Sequence, residues 1–341
     1  MRLVLLLNRP GPGAGADDRD TLLQAHVVRK ALKALGHDVS TVPFSLDLPD
    51  TTSFLRGEAP DMVFNLVEGS EGGGHTIHYA PALLEDMGQP FTGAGSSAMA
   101  LSSNKLFAKA ILRANAIPTP DWRSLPALLS TAPEDTGTTG RFIVKSVWEH
   151  ASLGLDAGAV PEVARAGELC DILCSRAPML GGECFAERYV EGREFNIAVL
   201  DGPNGPQVLP MAEMVFNGDW AEGTRILGYA AKWDEGSEAY TTTCRSFAFS
   251  PEDADLMDAL RRTTLDCWRA FGLCGYARVD FRVGPDNVPL VIDVNANPCL
   301  SPDSGFHSAL QEAGLPFEEA VMRIVTAGLS RPGFFPSRKV A

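Results

Sequence analysis

The chain has 341 residues, too many for one ordinary hydrophobic core, and its 45% hydrophobic and 21% charged residues are typical of a globular protein. Its formal net charge of −14 argues against nonspecific binding to nucleic acids, and no apolar run is long enough to span a bilayer. The seven cysteines are irregularly spaced, which predicts reduced thiols in a cytoplasmic protein instead of a secreted disulfide framework.

The first hundred residues alternate between strand and helix patterns. Leu3–Leu7 is a short apolar run, typical of a strand in a parallel sheet and too short for a secretory signal. A helical pattern follows over Asp17–Leu35, and further strands are predicted at Val39–Val42 and Met62–Val67. A helix is predicted over Thr76–Met87. This order predicts a small doubly wound α/β domain.

The remainder of the chain predicts a helix at Asn104–Ala114, a Pro/Gly/Thr-rich connector at Ser130–Gly140, and then mostly strands. An antiparallel hairpin is expected around Glu191-Gly192. The predicted strands are Phe142–Val147, Cys184–Val190, Glu194–Leu200, Val208–Met214, Thr241–Phe249, Ala277–Val283 and Pro289–Val294, and the predicted helices are Val163–Cys174, Asp253–Phe271 and Phe317–Ala327.

Two of these strands carry polar residues at neighbouring ends. Asp280 lies in one, and Asp293 and Asn295 lie in the next, after a turn at residues 284–287. Oxygen ligands of this kind are the ones that Mg²⁺ prefers. Arg278 is two residues before Asp280 and therefore shares its strand face. A cation beside a metal site indicates binding of an oxyanion, most simply a phosphate.

These residues and several other motifs together resemble the D-alanine–D-alanine ligase family of ATP-grasp ligases. The resemblance runs from Met62 to about Ile324, and it depends on the order and spacing of the motifs more than on any one of them. The motifs are Val63-Phe64-Asn65, Pro90–Gly95, Asn104-Lys105, Ile117–Pro120, Val144-Lys145, Ser152-Leu153-Gly154, Gly192-Arg193-Glu194, Arg278–Phe281 and Asp293–Asn295.

The resemblance implies an α/β and α+β fold of the ATP-grasp type with three subdomains. These would be an N-terminal doubly wound α/β substrate domain at 1–103, a central lid subdomain at 104–190, and a C-terminal subdomain with the metal and catalytic site at 191–341. It also implies an ATP-dependent carboxylate–amine ligase. Such an enzyme activates a carboxylate as an acyl phosphate, an amine then forms the amide, and ADP and phosphate are released.

The implied cofactors are ATP and two Mg²⁺ ions, with Mn²⁺ as a substitute. Asp280, Asp293 and Asn295 match the family's metal ligands, with Asp293 in place of the usual glutamate. The resemblance assigns the lysines to the phosphates, Glu187 and the backbone of the next three residues to adenine, and Glu194 to ribose. The residues that match nucleotide-binding positions are Lys105, Lys145, Glu187, Arg188, Tyr189, Val190, Glu194 and Lys232.

On the substrate side, Arg278 matches the arginine that holds the substrate carboxylate and the tetrahedral intermediate. Ser152 matches a lid serine, in a loop over the phosphates at residues 149–154, and Ser304 matches a serine that binds the second substrate's carboxylate. Glu68 stands where the family has histidine, which favours an amine or guanidine group on the second substrate. Cys299 stands where the family has glycine, and we expect a packed thiol there.

Further departures lie on the substrate side: residues 72–75 replace a loop whose glutamate orients the lid serine, and Gly305 replaces a leucine. The first loop offers Asp17, Asp18 and Asp20 as candidate anchors for an ammonium group. Because the ATP side matches and the substrate side differs, the sequence predicts the same reaction on amino acids or peptides other than D-alanine. We expect small-molecule substrates, no nucleic-acid or membrane partner, and the homodimer that is common in the family.

Four alternatives stay open. The chain could be a true D-alanine–D-alanine ligase, or an ATP-grasp carboxylase component, although its length leaves no room for a biotin-type partner domain. It could be a non-catalytic nucleotide- or amino-acid-binding protein in which Asp293 marks a decayed metal site. A Rossmann-type oxidoreductase would use the loop Gly11-x-Gly13-x-Gly15, which does not have the spacing of a dinucleotide-binding motif.

Overall fold

The computed structural model describes residues 1–8, 16–69, 73–130, 136–149, 152–165, 167–217, 225–228, 231–232, 234 and 236–331, without the side chains of residues 16–19, 136 and 157. The loop that contains Gly11, Gly13 and Gly15, the side chains of Asp17 and Asp18, residues 131–135 of the connector, and His150 with Ala151 lie outside the described residues.

The N-terminal part is a three-stranded parallel sheet with the order β2-β1-β3, as the alternating pattern predicted. Leu3 to Leu7 are buried, because helices cover both faces of the sheet. Two short helices, α2 and α4, were not predicted, since their small polar residues hide the helical period. The elements are β1 Arg2–Asn8, α1 Ala16–Ala34, β2 Asp38–Phe44, α2 Leu48–Glu58, β3 Met62–Leu66, α3 Tyr79–Asp86 and α4 Ser96–Ser103, with a 3₁₀ helix at Gly74–Thr76.

A four-stranded antiparallel sheet follows, with the strand order β4-β7-β5-β6, and we call it the small sheet because it is the smaller of the two antiparallel sheets. The helix α5 precedes it, and Asn104 caps that helix by accepting a hydrogen bond from the backbone N–H of Phe107 at 3.0 Å. The elements are α5 Lys105–Ala114, β4 Trp122–Ser124, α6 Leu125–Ser130, β5 Gly140–Ser146, β6 Glu162–Val163, α7 Glu168–Arg176 and β7 Cys184–Arg188, with 3₁₀ helices at Thr136–Thr138, Ala157–Ala159 and Ala177–Leu180.

The largest sheet has the order β11-β10-β8-β12-β13, and β9 pairs with β8 outside this path. Its central strands carry the most buried residues of the C-terminal part. The elements are β8 Arg193–Leu200, β9 Gln207–Val208, β10 Ala212–Phe216, α8 Glu238–Thr242, β11 Thr243–Ser246, α9 Ala254–Phe271, β12 Tyr276–Val283, β13 Pro289–Asn295, α10 Gly305–Glu312 and α11 Phe317–Leu329, with a 3₁₀ helix at Pro251–Asp253.

The hairpin predicted around Glu191-Gly192 is wrong. β7 pairs with β4 and β5, and β8 pairs with β10 and β12, so the chain leaves one sheet and enters another at this point. Gly192 has a φ of +144°, and a Cβ atom there would overlap with the backbone carbonyl oxygen of Val283. The glycine therefore marks a crossing between two sheets and not a tight turn.

Three other boundaries differ from prediction. Val163 belongs to the short strand β6, and the helix of that region begins only at Glu168. The strand predicted at Val208–Met214 is divided into β9 and β10, and α8 occupies the start of the strand predicted at Thr241–Phe249. In each case the segment is too short for the spacing of its apolar residues to distinguish a helical period from a strand period.

One hydrophobic cluster joins the N-terminal sheet to the largest sheet. Leu5, Leu200, Tyr276 and Ile324 are all fully buried in it, although they come from four different elements. Burial of this kind fixes the two sheets against each other and so fixes the space between them. In the described part of the chain, no helix combines the length and apolar character that a membrane crossing requires.

Candidate active site

A cavity of about 470 Å³ opens where the three sheets meet, within the size range of small-molecule sites. Its lining includes all the predicted nucleotide, metal and catalytic residues. These are Glu68, Lys105, Lys145, Ser152, Glu187, Arg188, Tyr189, Val190, Glu194, Lys232, Arg278, Asp280, Asp293, Asn295 and Ser304. Residues separated by more than two hundred positions therefore converge on one space.

A β-bulge brings the two predicted metal-binding aspartates together. In the pairing of β12 with β13, Asp280 lies opposite Asp293, but the next pair is Phe281 with Val291, so Ile292 is an extra residue. The bulge changes the alternation of faces, so that both aspartates line the cavity while Phe281 and Val291 are fully buried. With regular alternation Val291 and Asp293, which are two residues apart, would share a face, so Val291 could not be buried on the opposite face from Asp293.

The Asp280 carboxylate is held from three sides. Arg278 donates to it through Nε at 2.8 Å and Nη2 at 2.9 Å, and Asn196 and Asn295 donate through their Nδ2 atoms at 2.9 and 3.2 Å. Burial would lower the pKa of Arg278, but the adjacent Asp280 raises it, so the guanidinium stays charged. The site thus pairs a fixed cation with a fixed anion in the middle of β12.

The donor set fits a hard cation by type. Asp280, Asp293 and Asn295 offer two carboxylates and a carboxamide, and Mg²⁺ accepts few protein ligands because phosphate and water oxygens complete its shell. No group of three or more His, Cys, Asp or Glu residues at metal-binding geometry occurs among the described residues. A purely protein-built metal cage is therefore not present in this part of the chain.

A buried carboxylate lies between two lysines. Glu187 is 1% exposed, its Oε1 accepts a hydrogen bond from Lys145 Nζ at 2.8 Å, and its Oε2 forms an ion pair with Lys109. Burial alone would raise the pKa of Glu187, but Lys109 and Lys145 outweigh it and lower the pKa. In this structure the carboxylate contacts lysines, whereas the sequence predicted a contact with a base edge. Lys109 lies one turn after Lys105 on α5, and the sequence assigned no role to it, although this spacing makes the two lysines neighbours on the helix.

Among the other predicted nucleotide-side residues, Lys105 and Glu194 are buried and Lys232 is half-buried. Lys105 donates to the Glu149 backbone carbonyl at 2.9 Å, and burial lowers the pKa values of Lys105 and Lys232. Glu194 lies 3.4 Å from Arg282 Nη1, and burial raises its pKa. Arg282 was not predicted, although it follows Arg278 and Asp280 at alternate positions of the same strand.

Three consecutive predicted residues, Arg188, Tyr189 and Val190, border the cavity next to this buried group. The Arg188 side chain turns back over Phe142, 4.4 Å from its ring centroid, and donates to the Thr139 backbone carbonyl at 2.6 Å. Arg282 donates to the Val190 carbonyl at 3.1 Å. These contacts fix the backbone that leads from the small sheet to the largest one.

The lid loop contains its own acid. The Glu149 Oε1 atom accepts a hydrogen bond from the backbone N–H of Gly74 at 3.2 Å. Gly74 belongs to the loop at residues 72–75, in which this chain lacks the family's glutamate. Ser152 has a φ of +64°, an unusual value for serine, and its Oγ donates to the Leu227 carbonyl at 2.9 Å. The acid at this contact therefore belongs to the loop at residues 149–154 and not to the loop at residues 72–75, where the family carries its glutamate.

The end of the cavity that the sequence assigned to substrates is rich in carboxylates. Gln24 Nε2 donates to Glu68 at 2.9 Å, and Gln24 Oε1 accepts from the Leu300 N–H at 2.7 Å. Cys299 donates from Sγ to Asp20 at 2.9 Å. Burial, with Glu68 and Asp20 nearby, raises the pKa of Cys299 far above its usual range, so its thiol stays protonated at neutral pH. Asp20 thus lies in the cavity, and the thiol is held as a packed group.

Ser304 begins α10. Its Oγ accepts a hydrogen bond from the His307 N–H at 3.1 Å, so the hydroxyl caps the helix in this structure. Arg245, which was not predicted, lines the cavity beside it and donates to the Asp303 carbonyl at 3.1 Å. Arg245 lies on the short edge strand β11, where the sequence gives no pattern that would single it out.

Comparison with known proteins agrees with this geometry. A family described as "D-ala D-ala ligase C-terminus" matches residues 138–326. The chain is 28% identical over 337 residues to a D-alanine–D-alanine ligase of Gloeobacter violaceus, covering 96% of this chain and 100% of that protein. It is 30% identical over 318 residues to one of Anaeromyxobacter sp. (strain Fw109-5), covering 92% and 94%.

Solved structures show the same fold. A D-alanine–D-alanine ligase from Bacillus anthracis complexed with ATP superimposes with a TM-score of 0.72 at 19% identity, covering 96% of this chain and 97% of that one. The D-alanyl-alanine synthetase A of Vibrio cholerae gives 0.73 at 19% identity, covering 96% and 98%. The predicted ATP-grasp fold class is thereby confirmed.

Proposed function

The chain belongs to the D-alanine–D-alanine ligase family of ATP-dependent ligases that form carbon–nitrogen bonds, and we propose that it joins amino acids or amino-acid-like substrates through an acyl phosphate, with release of ADP and phosphate. The observation that carries this proposal is the convergence of the predicted nucleotide, metal and catalytic residues on one cavity. A Rossmann-type oxidoreductase would not require that set.

The nucleotide end of the cavity is rich in cations. Lys105, Lys145 and Lys232 supply positive charge for the phosphates, and burial makes that charge more effective than it would be in water. Glu194 is assigned to the ribose hydroxyls. The backbone groups of residues 188–190 are assigned to the adenine edge. A few local cations would thus offset the electrostatic repulsion between a triphosphate and an acidic protein.

Asp280, Asp293 and Asn295 would hold Mg²⁺, for which Mn²⁺ can substitute, and the bound ion would neutralise charge on the phosphoryl group that is transferred. Arg278 is fixed by Asp280, so its guanidinium is already oriented before a substrate arrives. It would bind the carboxylate that becomes activated and then the oxyanion of the tetrahedral intermediate. Ser304 and Ser152 are assigned to the second substrate's carboxylate and to the lid over the phosphates.

The substrate end favours a cationic group. Glu68 is oriented by Gln24, and Asp20 lies close to it beside Cys299. Carboxylates at this position would attract an ammonium or guanidinium group, which is our reason for placing an amine or guanidine on the second substrate. D-Alanine is a second candidate substrate, because the curated relatives at 28–30% identity carry its name.

The experiment is a phosphate-release screen with ATP and Mg²⁺ over pairs of D- and L-amino acids and dipeptides, with mass spectrometry of the products. We expect phosphate release that requires both substrates and a product whose mass equals their sum minus water. ATP hydrolysis that no substrate pair stimulates, with no condensed product, would refute ligation and favour a binding protein.

Several finer features remain part of the proposal. They are the subdomain boundaries near residues 103 and 190, the presence of two metal ions, a homodimer, and a cytoplasmic location. Size-exclusion chromatography with light scattering tests the dimer, and metal titration of the ATP-bound protein tests the number of ions.

A further inference from the structure

We propose that Lys109 is a positioning residue for the nucleotide, which acts through Glu187 to keep the positive charge of Lys145 available to a phosphate group. The inference rests on the proposed function, because it assumes that the cavity binds ATP. Lys109 lies on α5, one turn after Lys105, but unlike Lys105 and Lys145 it is not among the described residues that line the cavity.

The ammonium group of Lys109 is fully occupied within the protein. It donates to Thr119 Oγ1 at 2.6 Å and to the Val291 backbone carbonyl oxygen at 3.3 Å, and it forms an ion pair with Glu187. An ammonium has three N–H donors, so these contacts use all of them. The side chain is also 2% exposed. Lys109 therefore has no donor left for a nucleotide, and any effect it has there must be indirect.

Charge counting shows what that indirect effect is. Glu187 contacts both Lys109 and Lys145, so the buried group holds two cations and one anion. The surplus positive charge can act on the cavity through Lys145, which lines it. Without Lys109, Glu187 and Lys145 would form a neutral pair, and the carboxylate would hold Lys145 away from a phosphate.

The same contacts fix geometry between two sheets. Glu187 belongs to β7 of the small sheet, whereas Val291 belongs to β13 of the largest sheet, two residues before Asp293. Thr119 also donates from Oγ1 to the Val291 carbonyl at 2.6 Å. Lys109 thus connects the strand that carries the buried carboxylate to the strand that carries a predicted metal ligand.

A double-mutant cycle tests the proposal. Binding of a nonhydrolysable ATP analogue with Mg²⁺ is measured by calorimetry for the unaltered protein, Lys109→Met, Glu187→Gln and the double variant. We expect Lys109→Met to weaken binding at least ~tenfold when Glu187 is present, and at most ~threefold in the Glu187→Gln background, because the neutral amide no longer needs a second cation. Equal losses in both backgrounds, or no loss in either, would overturn the proposal.

Two further variants separate this role from general stability. Lys33→Met removes an exposed lysine of α1 and should leave binding unchanged. If circular dichroism shows that Lys109→Met is unfolded, the comparison of Glu187→Gln with the double variant carries the test, since neither contains an uncompensated carboxylate. Affinities within ~threefold of each other support the proposal, and a further ~tenfold loss in the double variant overturns it.

The outcome for the proposed function is read separately. If the unaltered protein binds the analogue but condenses no substrates, ligation fails while the mutant cycle still decides the role of Lys109. If the unaltered protein does not bind the analogue, both proposals are overturned.

Discussion

Replacement of Gly192 by alanine tests the crossing between the small sheet and the largest sheet. The residue has a φ of +144°, a region that is almost exclusive to glycine, and its Cβ atom would overlap with the Val283 carbonyl oxygen. The backbone strain costs about 1–3 kcal/mol and the steric overlap a further 1–3 kcal/mol, so we expect a loss of roughly 4 kcal/mol of unfolding free energy.

A matched control is available in Gly36→Ala. Gly36 also has a positive φ, +79°, but no atom lies within 4 Å of a Cβ added there, so only the conformational cost of about 1–2 kcal/mol applies. Urea unfolding of both variants, followed by circular dichroism and tryptophan fluorescence, gives the difference. If Gly192→Ala costs no more than Gly36→Ala, the close approach of the two sheets at this point is wrong.

The remaining predictions concern the chemistry of the cavity. Asp293→Ala and Lys145→Ala should each lower ligase turnover by about 100-fold or more with an unchanged circular dichroism spectrum, and normal turnover in either would contradict its assignment. Glu68→Gln should raise the KM for the amine substrate about tenfold with a smaller effect on kcat, and an unchanged KM would show that this carboxylate does not contact the amine. Burial lowers the pKa of Lys109 to about 8 despite the nearby Glu187 and Asp293, with Lys145 adding to the effect. Affinity for the ATP analogue should therefore be full below pH 8 and weaken as the pH rises through 8, because Lys109 then loses its proton. The contribution of Lys109 to the unfolding free energy has the opposite sign: it rises from pH 8 to about 10.4, because the unfolded chain keeps the proton to higher pH than the folded protein does. An affinity that is flat from pH 7 to 9.5 would refute the link between Lys109 and the nucleotide.

The sequence predicted the strands that carry the chemistry because their patterns are long and regular. The alternation of Arg278 and Asp280 with buried apolar residues shows both the strand and its polar face, and the structure has the strand and the face as predicted. The first strand, Arg2–Asn8, was equally clear, since an uninterrupted apolar run is typical of a strand covered on both sides.

What the sequence could not show depends on contacts between distant segments. The bond from Lys109 to Val291 spans 182 residues, and nothing near either position indicates it. Gly192 is as compatible with a hairpin turn as with a crossing between sheets, and only the approach of Val283 distinguishes the two. Arg245 lies on an edge strand of four residues, which is too short for any period to be read.

The bulge at Ile292 implies that β13 bends and twists more strongly just before Asp293 than a regular strand would. Another apolar or polar residue at position 292 would keep the two aspartates opposite each other. Loss of Ile292 would join Val291 directly to Asp293 and give a regular ladder in which Asp280 still lies opposite Asp293, but it would remove the local bend and extra twist that set the angle of the Asp293 side chain. Related sequences that conserve both aspartates but lack this extra residue should accordingly keep both carboxylates on the cavity face and hold them at a different angle to each other.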